Sequence, residues 1–227
     1  MIYKTPLHYA CEHGISCDIK VLISQKMIDI NSKDSDLRTP LLCASQYGSQ
    51  KSIKVMLSAD KIDKKTIDGY GMNCIHWAVR NNRLSCIQLL IDELGIDVNT
   101  PADDGKTPLH WAAISGFVNV IILLLKQKGI KVNAKADDGA TPLHLAVGAG
   151  RIESVKVLLD FPETNVNALT SLKVAPIHLA AASGNKEMIM TLLKHKGILK
   201  NLQNAEGVNF LYFIKNQSTF SLRCKMI

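Results

Sequence analysis

Apolar residues in this chain fall into short runs at helical spacing, separated by polar turns. Val120, Ile121, Leu124 and Leu125 form one such run, and Val155, Val157, Leu158 and Leu159 another. Each gives a helix with one buried face. Position by position the runs share a register. Alanine occupies 10, 44, 78, 112, 146 and 180, where a small side chain lets helices approach closely, and Ile or Val occupies 19, 53, 87, 121, 155 and 189. Both series step by 34 residues. The pattern predicts pairs of antiparallel helices, the first pair near 6–13 and 16–25, repeated along the chain.

Polar punctuation keeps the same period. Thr5, Thr39, Thr107 and Thr141 lie on one slot, with Asn73, Ala175 and Asn209 on its remaining steps. A threonine there can accept a backbone N–H of the first helical turn, and Pro40, Pro108 and Pro142 follow at the position where a missing N–H costs nothing. Gly71, Gly105, Gly139 and Gly207, two residues earlier, suit a tight turn, and Gly14, Gly48, Gly116, Gly150 and Gly184, nine residues later, suit a left-handed helix end. Asparagine recurs at 31, 99, 133, 167 and 201, where it can bond its own backbone in a turn. Lys65 interrupts that series, so the loop from Lys61 to Ile67 is expected to differ. Lys173 and Ala175 replace the turn glycine and the threonine, so the helix start at Pro176 is expected to fray.

The TPLH motif at Thr5–His8, Thr107–His110 and Thr141–His144, with VNA closings at Val132–Ala134 and Val166–Ala168, resembles the ankyrin repeat. The resemblance covers nearly the whole chain, with a period one residue longer than the usual 33 or so. It implies an all-α, ankyrin-repeat solenoid of stacked helix-turn-helix units with projecting β-hairpin turns. The unbroken period predicts one array over 1–227 with no internal domain boundary, in repeats at about 1–34, 35–68, 69–102, 103–136, 137–170, 171–204 and a degenerate C-terminal cap over 205–227. Ile214 and Lys215 in that last repeat stand where earlier ones carry small residues, and Arg223 stands on the Ile/Val slot. In the first repeat Cys17, Ile19, Val21 and Ile23 are interior choices, which implies either an imperfect cap or residues upstream.

Composition narrows the function. Six cysteines without a CxxC pair fit structural thiols in a reducing compartment, and no signal peptide or span-length apolar run is visible, so an intracellular protein, cytoplasmic or nuclear, is expected. The net charge of +7 is weighted toward the C-terminal end, without interleaved aromatics or a nucleic-acid motif, so nucleic acid is not the expected partner. Five histidines, at 8, 76, 110, 144 and 178, hold one slot of the motif. They are expected to tie neighbouring hairpins through both ring nitrogens, with the threonine as partner, and not to bind metal. Cys74 and His76 are two apart on one helix and do not face each other. No catalytic, metal or cofactor site is expected, and no cofactor.

The resemblance implies a protein–protein interaction scaffold or adaptor that binds its partner on the concave face, most simply as a monomer. The alternative it leaves is a targeting or regulatory module of a larger enzyme or channel. The slots that such repeats expose on that face carry Arg38 and Tyr47, then Tyr70, Met72 and Arg80, then Asp104, Lys106 and Ile114. Repeats five and six offer small residues instead, such as Ala140, Ala149, Val174 and Ser183. Tyr, Arg and Met are enriched at interfaces, which places the expected contact on repeats two to four with Tyr47, Tyr70 and Arg80 as anchors.

Overall fold

The computed structural model describes residues 3–215, with side chains through Tyr212. Arg223 and Cys224 therefore lie outside the described residues, as do the side chains of Ile214 and Lys215. The chain divides into two compact units, residues 1–108 and 109–227. Each is a double layer of short helices. In unit 1 the pairs are α1 (Pro6–Glu12) and α2 (Ser16–Ile23), α3 (Pro40–Tyr47) and α4 (Gln50–Leu57), and α5 (Cys74–Arg80) and α6 (Leu84–Leu94). First helices stack as α1, α3, α5, and second helices as α2, α4, α6.

Unit 2 opens in α7 (Pro108–Ser115) and continues through α8 (Val118–Leu125), α9 (Pro142–Gly148), α10 (Ile152–Asp160), α11 (Pro176–Ser183), α12 (Lys186–Leu193) and α13 (Phe210–Lys215). Here α9, α11 and α13 form one layer and α8, α10 and α12 the other. The alanine slot and the Ile/Val slot are buried in every repeat from Ala10 and Ile19 to Ala180 and Ile189. These periodic positions are the core of both units.

Hairpin tips meet through single backbone bonds. In unit 1 Gly69 N–H donates to the Asp36 carbonyl at 3.1 Å and Asp103 N–H to that of Tyr70 at 3.1 Å. In unit 2 Ser171 bonds Asp138 at 2.9 Å and Ala205 bonds Leu172 at 3.1 Å. The tips are turns and not strands: among the described residues the sole β-pairing is the isolated bridge Gln203–Asn209.

The backbone of the turn and helix-end slots is left-handed whichever residue stands there. Leu37 (φ 60°) and Lys173 (φ 55°) occupy the turn-glycine slot, and Asn82 (φ 55°) the helix-closing one. Contrary to expectation, α11 runs the full eight residues after Ala175. His178 Nδ1 accepts the Ala175 N–H at 3.0 Å and holds the entry without the threonine. The loop after α4 also keeps its shape, because Asp63 accepts the Lys65 N–H at 2.9 Å, the same turn that Asp29 makes with Asn31. Asn31, Asn133 and Asn167 on this slot reach outward to the following loop, whereas Asn99 bonds Asp97 in its own turn at 3.0 Å. Asn31 joins the Lys61 carbonyl and the Asp63 N–H, both at 2.8 Å, and Asn167 the Gly197 carbonyl and Leu199 N–H at 2.7 and 2.9 Å. Lys65 has no amide with which to do this.

Candidate functional site

Two buried aspartates one period apart build the polar side of unit 1. Asp34 Oδ1 accepts the N–H groups of Asp36 and Arg38, both at 2.9 Å, while Oδ2 receives Arg38 Nε at 3.0 Å and Nη2 at 2.9 Å. Asp68 Oδ1 accepts the N–H of Tyr70 at 2.8 Å and of Met72 at 2.9 Å, and its Oδ2 receives Trp77 Nε1 at 2.9 Å. Burial opposes the Asp34 charge, but the Arg38 backbone N–H and guanidinium more than offset it and hold the carboxyl below the usual carboxylate range. One oxygen of each carboxylate thus fixes a turn and the other fixes a side chain.

The two fixed side chains then meet. The Arg38 guanidinium lies 5.7 Å from the Trp77 ring centroid and the Arg80 guanidinium 5.5 Å from it, within cation–π range. Arg38 also pairs with Asp36 at 3.0 Å and reaches Gln46 Oε1 at 3.3 Å. Tyr70, on the turn held by Asp68, stands 64 % exposed. Tyr47 is exposed, with its hydroxyl drawn to Glu12, which raises its pKa. Lys106 closes on Asp104 at 2.7 Å through Nζ and at 3.0 Å through its N–H.

Of the sequence-predicted contact residues, Tyr47, Tyr70 and Arg80 are exposed and Asp104 and Lys106 half-buried in unit 1, whereas the Arg38 side chain is only 11 % exposed. Met72 is buried. The turn that Asp68 closes on the Met72 N–H folds that side chain inward to 2 % exposure, where its sulfur lies 3.9 Å from Arg80 Nη1. Ile114 belongs to unit 2 and is half-buried. The motif reading missed Asp34, Asp68 and Trp77. Their signal was present as Asp34 and Asp68 on one slot, five residues before the threonine position.

The histidines tie hairpins as expected, with one exception. Nε2 of His8, His110, His144 and His178 lies 2.9, 3.1, 2.9 and 3.0 Å from the carbonyls of Arg38, Ala140, Val174 and Leu202. A carbonyl only accepts, so these rings carry their proton on Nε2. At His8 and His144 Nδ1 then accepts the threonine N–H, and the Thr5 and Thr141 hydroxyls lie 2.8 and 2.9 Å from it. At His76 the neighbour is Asn73 Oδ1, 2.8 Å from Nδ1. Nδ1 also accepts the Asn73 N–H at 3.2 Å, as at the other rings, so the proton on Nε2 faces the equivalent carbonyl, Lys106. Nε2 of His76 is buried without a hydrogen bond. In repeat two the slot holds Leu42, and the buried Thr39 hydroxyl has lost its partner as well.

Burial lowers the pKa of His8, His76, His144 and His178, that of His76 to about 4. His8, Asp34 and Cys43 approach one another closely enough to suggest a metal triad. Their donor atoms are already engaged: both His8 nitrogens and both Asp34 oxygens are hydrogen-bonded, and burial pushes the Cys43 thiol up to about 12. Cys74, beside His76, is likewise pushed up to about 12 by burial, far from a thiolate nucleophile. Burial raises Cys11 and Cys86 too, and Cys17 is exposed.

No helix among the described residues is long and apolar enough to cross a membrane. Two solved structures share the fold. The human ASB11 ankyrin repeat domain superposes with a TM-score of 0.78 at 24 % identity, covering 92 % of this chain and 90 % of its own. The ankyrin repeat domain of Bcl-3, a member of the IkappaB protein family, gives 0.81 at 24 % identity over 92 % and 93 %. No curated protein sequence matches. The family profile described as ankyrin repeats (3 copies) matches residues 2–68, 61–136 and 133–204. Repeat geometry and profile agree over nearly the whole length, and the chain belongs to the ankyrin repeat family.

Proposed function

We propose that the chain is a protein-binding scaffold whose principal contact lies in unit 1, on the exposed side chains around Trp77. Ankyrin repeat domains are protein–protein interaction modules, and such scaffold families are typically non-enzymatic. The observation that carries the placement is the Arg38–Trp77–Arg80 cluster held from beneath by Asp34 and Asp68. Aromatic and arginine side chains fixed before binding lose little entropy on contact, which is how hot spots gain their strength. Tyr70 and Arg80 are the anchors, Tyr47 and the Asp104–Lys106 pair stand at accessible positions around them, and Arg38 is the support. Free buried thiols fit the reducing, intracellular setting such a partner would share.

The test is capture of a partner from native lysate with mass spectrometry, followed by affinity measurement on purified proteins. Tyr70→Ala and Arg80→Ala should each weaken binding by more than about 1 kcal/mol. Val174→Ala and Ser183→Ala in unit 2 should leave it unchanged, and the reverse pattern overturns the placement.

A further inference from the structure

Charge divides the molecule sharply. Residues 1–108 hold 13 Lys/Arg and 13 Asp/Glu, whereas residues 109–227 hold 14 and 7, so the whole net charge of +7 belongs to unit 2. Part of it converges on a notch of about 500 Å³ between α10 and the end of α12, lined by Lys156, Leu159, Asp160, Thr191, Lys194, His195 and Lys196. Lys156 is paired with Glu153, but among the described residues no ion pair links Asp160 to any of the three lysines, and the exposed Lys194 and Lys196 have no acidic partner. Cations at a helix C-terminus offset its dipole. That accounts for Lys194, the residue capping α12, but not for Lys156 within α10.

His195 adds a directed donor. Its Nδ1 accepts the Gly197 N–H at 3.2 Å, which leaves the proton on Nε2. The ring lies so close to Gly197 that a Cβ there would sit 3.3 Å from Cε1, so its orientation is set by the backbone. Half-buried Leu159 supplies an apolar wall.

We infer that this notch is a second binding surface, which docks an acidic, Glu/Asp-rich segment of a protein partner. Two unpaired ammonium groups and an imidazole N–H match carboxylates, and the Leu159 wall matches the methylenes that carry them. The lining has no aromatic platform on which a nucleobase could stack. A concave notch also withholds His195 and Thr191 from a planar bilayer. The surface involves none of the unit 1 residues assigned above.

The experiment is fluorescence anisotropy of a fluorescein-labelled octaglutamate peptide with the full chain at low salt. Binding should weaken at least about tenfold in Lys194→Glu/Lys196→Glu and severalfold in His195→Gln. The double variant should keep its circular dichroism and melting temperature, since both lysines are exposed. Lys126→Glu/Lys128→Glu, which removes the same charge from exposed sites elsewhere in unit 2, should change affinity less than about twofold, and Tyr70→Ala not at all. Equal losses in the two charge-reversal pairs would mean diffuse attraction and overturn the notch. Tighter binding of an oligothymidylate of equal charge, or of phosphatidylserine vesicles, through the same residues would overturn the peptide assignment.

Discussion

Unit 1 and unit 2 are built on one repeat, yet they use its polar slots differently. Unit 2 keeps three consecutive histidine ties, at 110, 144 and 178. Unit 1 keeps one at His8, loses the next to Leu42 and has the third incomplete at His76, whose Nε2 makes no hydrogen bond. In exchange unit 1 carries buried carboxylates at Asp34 and Asp68, and with them the Arg38–Trp77–Arg80 cluster, where unit 2 has the uncharged Ala136, Thr170 and Asn204 on the same slot. The difference teaches that a repeat can release its standard ties where neighbouring side chains take over the turn, and that the released polar groups then become available to shape a surface.

Acid should disturb both units, and the largest effect should come from His76. Its folded pKa, near 4, lies below the unfolded value near 6.5, so between those values the unfolded chain binds more protons. The stabilisation is full above pH 6.5 and is lost as pH falls toward 4, about 3 kcal/mol from this ring alone. Urea midpoints at pH 7.5, 5.5 and 4.5 should fall in order. His76→Leu, which copies repeat two, should flatten part of that slope; an unchanged slope would deny His76 its role.

Next in size is the turn contrast. Asp68→Ala strips the buried Met72 N–H, the half-buried Tyr70 N–H and the Trp77 indole of their acceptor and should cost about 2 to 3 kcal/mol. Thr170→Ala, on the same slot in unit 2, removes a single neutral bond to Val174 at 3.2 Å and should cost about 1 kcal/mol. Equal shifts in denaturant midpoint would erase the distinction between the units.

Repairing unit 1 should have a smaller effect. Asn73→Thr should replace the Oδ1 beside His76 Nδ1 with a hydroxyl that can donate to it, as at His8 and His144, a gain of about 1 kcal/mol reduced by the loss of the asparagine cap to Ile75 and His76. Denaturant midpoints of the variant and the parent read the balance, and a net loss of more than about 1 kcal/mol would mean that the asparagine cap outweighs the new contact. Smallest is Lys173→Gly, which relieves a left-handed residue in unit 2 and should stabilise by about 0.5 to 1 kcal/mol in a thermal melt.

Nearly all of the fold was legible in the sequence, because the period fixes which residues face inward and glycine marks where the backbone reverses. Legibility failed where one partner had to be known to place another. Met72 sits on an exposed slot by count, but the Asp68 turn buries it. Asn31 and Asn167 were read as local turn formers, whereas their amides span to the following loop. The site was half legible: the exposed Tyr and Arg could be counted off, but Asp34 and Asp68 look like ordinary acidic loop residues until their depth is known.

The buried thiols have a consequence in time. Cys11, Cys43, Cys74 and Cys86 distribute one or two sulfurs to each of the first three repeats, every one enclosed and held protonated. Such a thiol meets an alkylating reagent only while its own helix pair is open. Each repeat of unit 1 therefore carries a stopwatch already installed, and the order in which four masses shift would record the order in which the repeats come apart.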